Sequence, residues 1–433
     1  MPVSPSRAAA FDILLRVERD RAFASDLLHS DRLNNLSQQD RGLATELVLG
    51  TLRWQSTLDA AIAAQSSQPL HKLDVEVLIA VRLAAYQLRF LDRVPANAAV
   101  NESVELVKRA RKRSAVPFAN AVLRKLAKDA ASISDDPKSA HPSWLVDRWN
   151  AYYGAEATAA ICRYNQQVPE TALRLPFDPA RREQVERELS QGGIQLAPGQ
   201  LLHSARRLIS GDLTHTEAFR RGDVWIQDEA SQLVALLAGG GQHILDCCAA
   251  PGGKTSFLAE RNPQSQILAL DLHDQRAQLL RQRVRNANVE IRTADVITAD
   301  TGNFDCILAD VPCSGTGTLS RNPEIKWHLR PEDLADLASR QSKILHSALE
   351  KLVPGGRLLY STCSLEPEEG EKLVENVLQK PFELANITSE LPKIASELAI
   401  FDVNSWLRGP YLRTIPGLYP CDGFFAALIT RPQ

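Results

Sequence analysis

Apolar residues recur at helical spacing along the N-terminal 130 residues of the chain. Two such sets are Ala10, Ile13, Leu14 with Val17, and Val77, Ala80, Val81 with Ala84. Residues at i, i+3, i+4 and i+7 lie on one face of an α-helix. Ser37, followed three residues later by Asp40, is typical of a helix start. Because no alternating strand pattern occurs here, the sequence predicts an all-helical bundle over residues 1–131.

A polar stretch with two prolines, Ser132 to Pro142, predicts a linker. A short helix is expected next, at about residues 143–166. Two short stretches, Thr171–Pro176 and Ile194–Leu196, are then typical of strands, and the polar stretch Arg181–Gln191 between them is typical of a helix. This order predicts a small α+β module over residues 143–224.

Apolar strands and amphipathic helices alternate from Trp225 to the end of the chain. The strands are predicted at His243–Asp246, Gln266–Leu270, Phe304–Ala309 and Arg357–Ser361. The helices are predicted at Lys254–Arg261, Gln275–Arg285 and Pro331–Leu352. Such alternation indicates an α/β domain, a doubly wound, Rossmann-like parallel sheet, over residues 225–433. Ligands of such sheets bind at the carboxyl ends of the strands.

The net charge of –2 is misleading for this chain, because the charge is unevenly distributed. Residues 1–130 carry 19 Lys and Arg against 14 Asp and Glu. The excess is concentrated in the run Lys108–Arg113, reinforced by Arg124, Lys125 and Lys128. Such a run is typical either of a solvated helix face or of a surface that contacts phosphates. The run alone does not decide between them.

The composition excludes several classes of protein. No apolar run approaches the roughly 20 residues of a membrane span, and the N-terminus lacks a signal-peptide core, so we expect a cytoplasmic protein without a membrane partner. Seven cysteines without a C-x-x-C pair favour reduced thiols and no metal site. The thiols assigned to packing are those of Cys162, Cys247, Cys248, Cys306 and Cys421.

A glycine-rich turn follows the first strand of the C-terminal domain. Gly252 and Gly253 let the backbone approach a ligand closely, and Lys254 opens the next helix. Acids that end strands, such as Asp271 and Asp295, commonly bind ribose hydroxyls, although one such Asp alone is more often a helix cap. Together they favour an adenosine site. The predicted cofactor-binding residues are Cys248, Ala249, Ala250, Pro251, Gly252, Gly253, Lys254, Asp271, Arg276, Asp295, Asp310 and Pro312.

Two cysteines, Cys313 and Cys363, each follow a predicted buried strand. One strand-end cysteine is more often a small buried apolar residue, but two in polar turns favour chemistry. Carbon 5 of cytosine becomes nucleophilic when a thiolate adds at C6 and a donor stabilises the charge at N3. Asp310 can supply that hydrogen bond if it is protonated or shares a proton. The residues themselves leave the roles of the two thiols open.

Several longer motifs accompany these residues. They are Asp246–Lys254, Asp310–Gly315, Arg321–Trp327, Ser361–Glu369 and Asp422–Phe425. On them, the chain from Trp225 onward resembles the NOL/Sun group of RNA cytosine-5 methyltransferases. The resemblance implies that Cys363 is the nucleophile and that Cys313 assists product release, with Asp310 and Lys254 completing the catalytic set. Two departures are Val311, where the group usually has Ala, and Cys247, where it more often has Leu.

The resemblance extends to the N-terminal region. Gln39–Arg53 is similar to the NusB-type RNA-binding domain, and His141–Leu145 is similar to the group's linker. This fusion resembles the bacterial RsmB/Sun family, which implies S-adenosyl-L-methionine as cofactor, an RRM-like middle module and methylation of an unpaired cytosine, number 967, in 16S ribosomal RNA. We expect a monomer. The predicted RNA-binding residues are Lys108, Arg109, Arg111, Lys112, Arg113, Arg321 and Lys326.

Two alternatives remain open from the sequence. One keeps the chemistry but takes transfer RNA or another ribosomal site as substrate, and the NusB-like region argues against it only by analogy. The other is a non-catalytic RNA-binding assembly factor with a degenerate methylase fold. The intact pair Cys313 and Cys363 beside an intact cofactor loop weighs against this second alternative.

Overall fold

The computed structural model describes residues 3–30, 33, 35–399 and 403–433. Their helices are α1 (Pro5–Asp20), α2 (Ala24–Leu28), α3 (Gln38–Arg53), α4 (Gln55–Gln65), α5 (Val75–Phe90), α6 (Ala96–Arg109), α7 (Val116–Lys128), α8 (Ser143–Gln166), α9 (Pro179–Gln191), α10 (Glu217–Arg221), α11 (Glu229–Ala238), α12 (Gly253–Arg261), α13 (Asp274–Arg283), α14 (Ile325–His328), α15 (Asp333–Glu350), α16 (Glu371–Val377) and α17 (Leu391–Ile394). The strands are β1 (Thr171–Arg174), β2 (Gln195–Pro198), β3 (Ala205–Ser210), β4 (Trp225–Ile226), β5 (His243–Asp246), β6 (Gln266–Asp271), β7 (Val289–Thr293), β8 (Phe304–Asp310), β9 (Leu352–Thr362), β10 (Glu383–Ala385), β11 (Leu407–Arg408), β12 (Tyr411–Thr414) and β13 (Phe424–Thr430).

The chain forms two compact units. The first contains the residues up to Pro169 together with the segment Thr318–Leu329, and the second contains Glu170–Gly317 and Arg330–Gln433. Helix α8, expected at the start of the small α+β module, therefore belongs to the first unit. The predicted domain boundaries near residues 131, 143 and 224 stay a prediction.

The first unit is a helical bundle whose core comes from the predicted apolar faces. The four residues predicted on one face of α1 are all buried, as are the four predicted in α5. The Ser37 hydroxyl accepts a hydrogen bond from the Asp40 N–H and so caps α3. Pro117 lies in the first turn of α7, where its missing N–H costs no hydrogen bond. Pro117 thus marks a helix start.

The segment Thr318–Leu329 is held in this bundle by buried polar groups. The Lys326 ammonium donates to the carbonyls of Arg53 and Ala140, at 2.8 and 2.7 Å. The Trp327 indole N–H donates to the Leu52 carbonyl at 2.7 Å. Breaking these bonds would leave buried donors and acceptors unpaired, at about 1–3 kcal/mol each.

The second unit contains two sheets. The smaller is entirely antiparallel, in the order β2-β3-β1-β4, with α9 among the elements that build its core. Strand β3 was not predicted, because Arg206 and Arg207 interrupt its apolar pattern. Strand β4 has only two residues and lies beyond the predicted boundary at residue 224.

The larger sheet is mixed, in the order β11-β12-β13-β9-β8-β5-β6-β7, and β10 also pairs with β13. Strands β9, β8, β5, β6 and β7 run parallel, as predicted. Strand β13 pairs antiparallel with β9, so the sheet is not wholly parallel. The chain turns in opposite directions from β5 to β6 and from β8 to β9, which opens a crevice at the carboxyl ends of β5 and β8.

Two glycines of α3 give a test of the bundle's packing. An added Cβ at Gly50 would lie 2.0 Å from Cζ of the buried Tyr86 ring, whereas one at Gly42 would meet no atom within 4 Å. We expect Gly50→Ala to lower the free energy of unfolding by about 1–3 kcal/mol through overpacking. Gly42→Ala, the matched control, should raise it by up to about 1 kcal/mol. Urea unfolding curves of equal stability for the two variants would contradict the packing around Tyr86.

Candidate active site

The turn after β5 is shaped by Gly252, which caps the N-terminus of α12. Its φ of 108° is a left-handed conformation that side chains rarely adopt. A Cβ at this position would also lie 2.7 Å from the Val284 side chain. The turn therefore requires glycine, and it places Lys254 in the first turn of the helix, at the crevice.

Lys254 forms an ion pair with Asp310 at the end of β8, with Nζ to Oδ2 at 2.8 Å. The Ser361 hydroxyl donates to the other oxygen of Asp310, also at 2.8 Å. Burial alone would lower the pKa of Lys254, but the charges of Asp310, Cys363 and Asp246 outweigh it, and the pKa is raised. The Lys254 ammonium therefore stays protonated at the centre of the site, within hydrogen-bond distance of Asp310.

The two thiols predicted to act together lie in contact. Sγ of Cys313 is 3.4 Å from Sγ of Cys363, and both side chains are half-buried. The hydrogen bond between the two sulfurs, together with burial and the Glu369 charge, raises the pKa of Cys313 well above its usual range. Cys313 is thus held as a thiol beside the Cys363 sulfur.

Glu369 is the main residue of the site that was not singled out from the sequence. It is completely buried, and its carboxylate accepts from the Ser314 N–H at 2.8 Å, the Gln341 amide at 2.7 Å and the Ser364 hydroxyl at 2.5 Å. The Ser314 hydroxyl also donates to it. Its only sequence signal was its place in an acidic stretch of the Ser361–Glu369 motif, which gives no reason to expect burial.

Asp246, at the end of β5, is a second buried carboxylate beneath the crevice. Burial raises the pKa of Asp246 to about 7, and the hydrogen bond from Thr255 opposes that rise. Oδ2 of Asp246 accepts from the Thr255 hydroxyl at 2.7 Å. This hydrogen bond holds the start of α12 against the end of β5.

The predicted adenosine site lies along the carboxyl ends of β5, β6 and β7. Asp271 is buried at the end of β6, and its carboxylate accepts from the N–H groups of Ala250 and His273. The Arg276 guanidinium donates to the Ala250 carbonyl at 2.9 Å. Asp295 follows β7 and accepts from the Ile297 N–H. The carboxylates thus also serve as local caps, while keeping their place at the strand ends.

The other predicted cofactor residues line the same edge with different exposure. Ala249 is buried, Cys248 is half-buried, and Pro251 and Pro312 are exposed. Two exposed apolar side chains also lie at this edge. They are Leu272, after β6, and Ile297, after β7, which expose 59% and 37% of their surface.

The basic run of the first unit is partly neutralised. Lys108 pairs with Glu105 at 2.6 Å, Arg109 with Asp12 at 2.9 Å, and Lys112 with Asp74 at 2.9 Å. Arg111 and Arg113 are exposed, and no side-chain ion pair joins either of them to another described residue. These two arginines are the cations of the run that are left for a ligand.

The remaining two residues predicted to bind RNA lie in the segment Thr318–Leu329. Arg321 is half-buried. Lys326 is fully buried, with its ammonium bound to carbonyl oxygens, and burial lowers its pKa well below the usual range. Lys326 is therefore not exposed to a phosphate, and its role here is to hold the segment in the bundle.

Of the cysteines outside the thiol pair, four are buried as expected of packing residues, and Cys248 is half-buried. Cys162, Cys247, Cys306 and Cys421 are buried. Over the described ranges, no three His, Cys, Asp or Glu side chains come together as metal ligands. None of the helices described has the length and apolar character needed to span a membrane.

Three family models match successive parts of the chain. They are the NusB family over residues 4–128, the ferredoxin-like domain of RsmF/B-like methyltransferases over residues 141–211, and 16S rRNA methyltransferase RsmB/F over residues 233–430. A probable ribosomal RNA small subunit methyltransferase B of Bacillus subtilis is 33% identical over 440 residues, covering 97% of each chain. The chain belongs to the ribosomal RNA small subunit methyltransferase B family. The Vibrio cholerae member is 31% identical, over 98% of this chain and 97% of that one.

Family membership confirms two predictions for this ribosomal RNA small subunit methyltransferase B family member. The chain is an RNA methyltransferase, and its fold joins a NusB-like bundle, a ferredoxin-like module and a Rossmann-like methyltransferase sheet. The crystal structure of PH0851 shares the fold over 100% of both chains, with a TM-score of 0.82 and 22% identity. A methyltransferase homolog protein from Pyrococcus horikoshii is 26% identical, with a TM-score of 0.54, over 68% of this chain and 96% of that one.

Proposed function

We propose that the chain transfers a methyl group from S-adenosyl-L-methionine to C5 of cytosine 967 in 16S ribosomal RNA, through a covalent adduct between Cys363 and C6. The observation that carries the chemistry is the 3.4 Å separation of two thiols beside a Lys–Asp ion pair. Family membership supports small-subunit ribosomal RNA as substrate. The position, 967, comes from the resemblance to the RsmB/Sun family.

The thiol geometry supports a division of labour. The Cys363 thiolate adds to C6, and C5 then takes the methyl group. A base next removes the C5 proton, the C5–C6 double bond re-forms, and the electron pair of the breaking C6–S bond returns to the Cys363 sulfur. The nucleophile is occupied throughout the adduct, so a second group must assist its collapse. The contact between the two sulfurs lets one ionise while the other stays a thiol. The choice of Cys363 as the nucleophile comes from the resemblance to the RsmB/Sun family.

The ion pair supports the stabilisation of negative charge on the ring during the reaction. Attack at C6 places negative charge on the ring around N3, where a preorganised donor lowers the barrier. Asp310 alone would need to be protonated to donate. Lys254, 2.8 Å away, is placed to pass its proton to Asp310 as negative charge develops on the ring. We therefore assign to Asp310 the hydrogen bond to N3 of the ring, and to Lys254 the supply of the proton that Asp310 needs.

The residues at the strand ends fit an adenosine cofactor. Asp271 offers a buried carboxylate at the end of β6 for ribose hydroxyls. Leu272 and Ile297 present apolar surface at the same edge. An adenine ring bound there would contact these side chains in place of water. When bound, S-adenosyl-L-methionine supplies an electrophilic methyl group. The residues of this chain contribute binding and orientation.

The two alternatives differ from this proposal in separate measurements. Mapping 5-methylcytosine in the ribosomal and transfer RNA of a deletion strain tests the substrate, and loss of the modification from transfer RNA alone would favour the first alternative. Binding of S-adenosyl-L-methionine to the protein without RNA tests the second. An assembly factor with a degenerate site would show no binding.

Substitution of each thiol tests the covalent mechanism. Cys363→Ala should abolish methylation and form no protein–RNA adduct, because it removes the nucleophile. Cys313→Ala should still attack and methylate, but then accumulate the adduct. Denaturing gels of each variant with substrate RNA and S-adenosyl-L-methionine will show the adduct as a slow band. A band with Cys363→Ala and none with Cys313→Ala would reverse the roles of the two thiols.

Substitution of Asp271 tests the cofactor site. Asp271→Ala should weaken S-adenosyl-L-methionine binding by about 1.5–3 kcal/mol, the usual contribution of a hydrogen bond to a charged group. The control is Asp336→Ala, which removes an exposed carboxylate on α15. Calorimetry measures both affinities, and circular dichroism checks the fold. Equal affinities in the two folded variants would remove Asp271 from the site.

Substitution of the two unpaired arginines tests the RNA surface. Arg111→Ala with Arg113→Ala should weaken RNA binding and reduce the slope of log K against log salt by roughly 0.7 per lost phosphate contact. Arg109→Ala, whose guanidinium is already paired with Asp12, should have a smaller effect. Filter binding over a salt series gives the slopes. An unchanged slope in the double variant would identify the run as a solvated helix face.

A further inference from the structure

We propose that Glu369 is a positioning residue that holds the loop of Cys313 and the loop of Cys363 in one fixed arrangement through Ser314 and Ser364. The inference rests on the proposed function, because it assigns the two thiols a joint task. It concerns a residue that contacts neither sulfur through a hydrogen bond and that holds the chain immediately after each of them.

Glu369 contacts the residue that follows each of the two thiols. Ser314 follows Cys313 directly and donates to the carboxylate through both its N–H and its hydroxyl. Ser364 follows Cys363 directly and donates through its hydroxyl at 2.5 Å. The two hydroxyls also lie 3.0 Å apart. One carboxylate therefore joins the loop after β8 to the loop after β9.

Glu369 is itself immobilised. Its backbone carbonyl accepts from the Tyr360 hydroxyl at 2.9 Å, and its Oε1 accepts from the Gln341 amide on α15 at 2.7 Å. The same Gln341 amide also donates to the Pro312 carbonyl at 2.9 Å, just before Cys313. A buried carboxylate with several donors is costly to move, because each donor would be left without a partner.

The chemistry requires such a constraint. One sulfur attacks while the other remains a thiol, and then the second assists collapse, so both must reach the same ring from fixed positions. A misplacement of about 1 Å can cost on the order of 100-fold in rate. The hydrogen bond to Cys363 and burial do most to raise the pKa of Cys313, and the negative charge of Glu369 adds to them. The group of Glu369, Ser314 and Ser364, which we call the clamp, thus fixes the separation of the two thiols and places a negative charge near Cys313.

Two substitutions separate the shape of the clamp from its charge. Glu369→Ala removes every side-chain contact. Glu369→Gln keeps an amide oxygen for the Ser314 N–H and Gln341, and its amide N–H₂ can donate to the serine hydroxyls, which accept as readily as they donate. We expect kcat to fall roughly 10- to 100-fold in Glu369→Ala with the KM for RNA unchanged. Glu369→Gln should restore most of that loss.

A probe of the thiols tests the clamp without catalysis. Phenylarsine oxide condenses with two neighbouring thiols, forming two As–S bonds and releasing water. In the wild type it should protect Cys313 and Cys363 together from iodoacetamide, as read by mass spectrometry of the two peptides. Glu369→Ala should lose this joint protection, Glu369→Gln should keep it, and Glu375→Ala, an exposed carboxylate on α16, should match the wild type.

The outcomes separate this inference from the proposed function. Full protection together with full kcat in Glu369→Ala would falsify the clamp. If the wild type methylates no cytosine but the protection pattern is as expected, the proposed function fails and the clamp stands. If Glu369→Ala does not fold, Ser364→Ala cuts the hydroxyl link to the Cys363 loop alone. It should reduce protection and kcat in the same direction, and unchanged values in that variant would overturn the inference.

Discussion

The parallel pairing of β8 with β9 is the constraint on which the site depends. In this register Asp310 lies opposite Ser361, and the two side chains are joined by a hydrogen bond. Cys313 and Cys363 follow within three residues of that pair, so the register sets which side chains meet at the crevice. A slip of one residue would turn every side chain of β9 to the other face of the sheet. The buried apolar residues of both strands make such a slip costly.

The central strands and the proximity of the thiols were predictable from the sequence, because both follow from apolar runs that end in polar turns. The antiparallel strand β13 was not predicted, since a buried apolar run does not reveal the direction of its partner. Glu369 was not singled out, and Lys326 was assigned to the RNA surface, for one physical reason. Charged side chains are almost never fully buried, so their types point to the surface. Only the hydrogen bonds of the folded structure show that these two side chains are buried.

The effect of each charged group in this protein depends on its local surroundings and not on the net charge of the chain. Three of the five cations in the run Lys108–Arg113 are paired with acids, so a count of Lys and Arg overstates the field that a phosphate would meet. In the crevice the reverse holds, because a few charges in a poorly hydrated place act strongly on each other. The same residue types therefore have weak effects in one unit and strong effects in the other.

The path of the chain has a consequence for any attempt to produce the two halves separately. After Gly317 the backbone leaves the second unit, contributes the segment Thr318–Leu329 to the helical bundle, and returns at Arg330. The bundle is therefore completed by residues encoded inside the methyltransferase half of the gene. Excision of the first 169 codons would strip the burial and the carbonyl partners from Lys326 and Trp327. A gene shortened in this way would therefore encode a methyltransferase half whose segment Thr318–Leu329 has lost its packing partners.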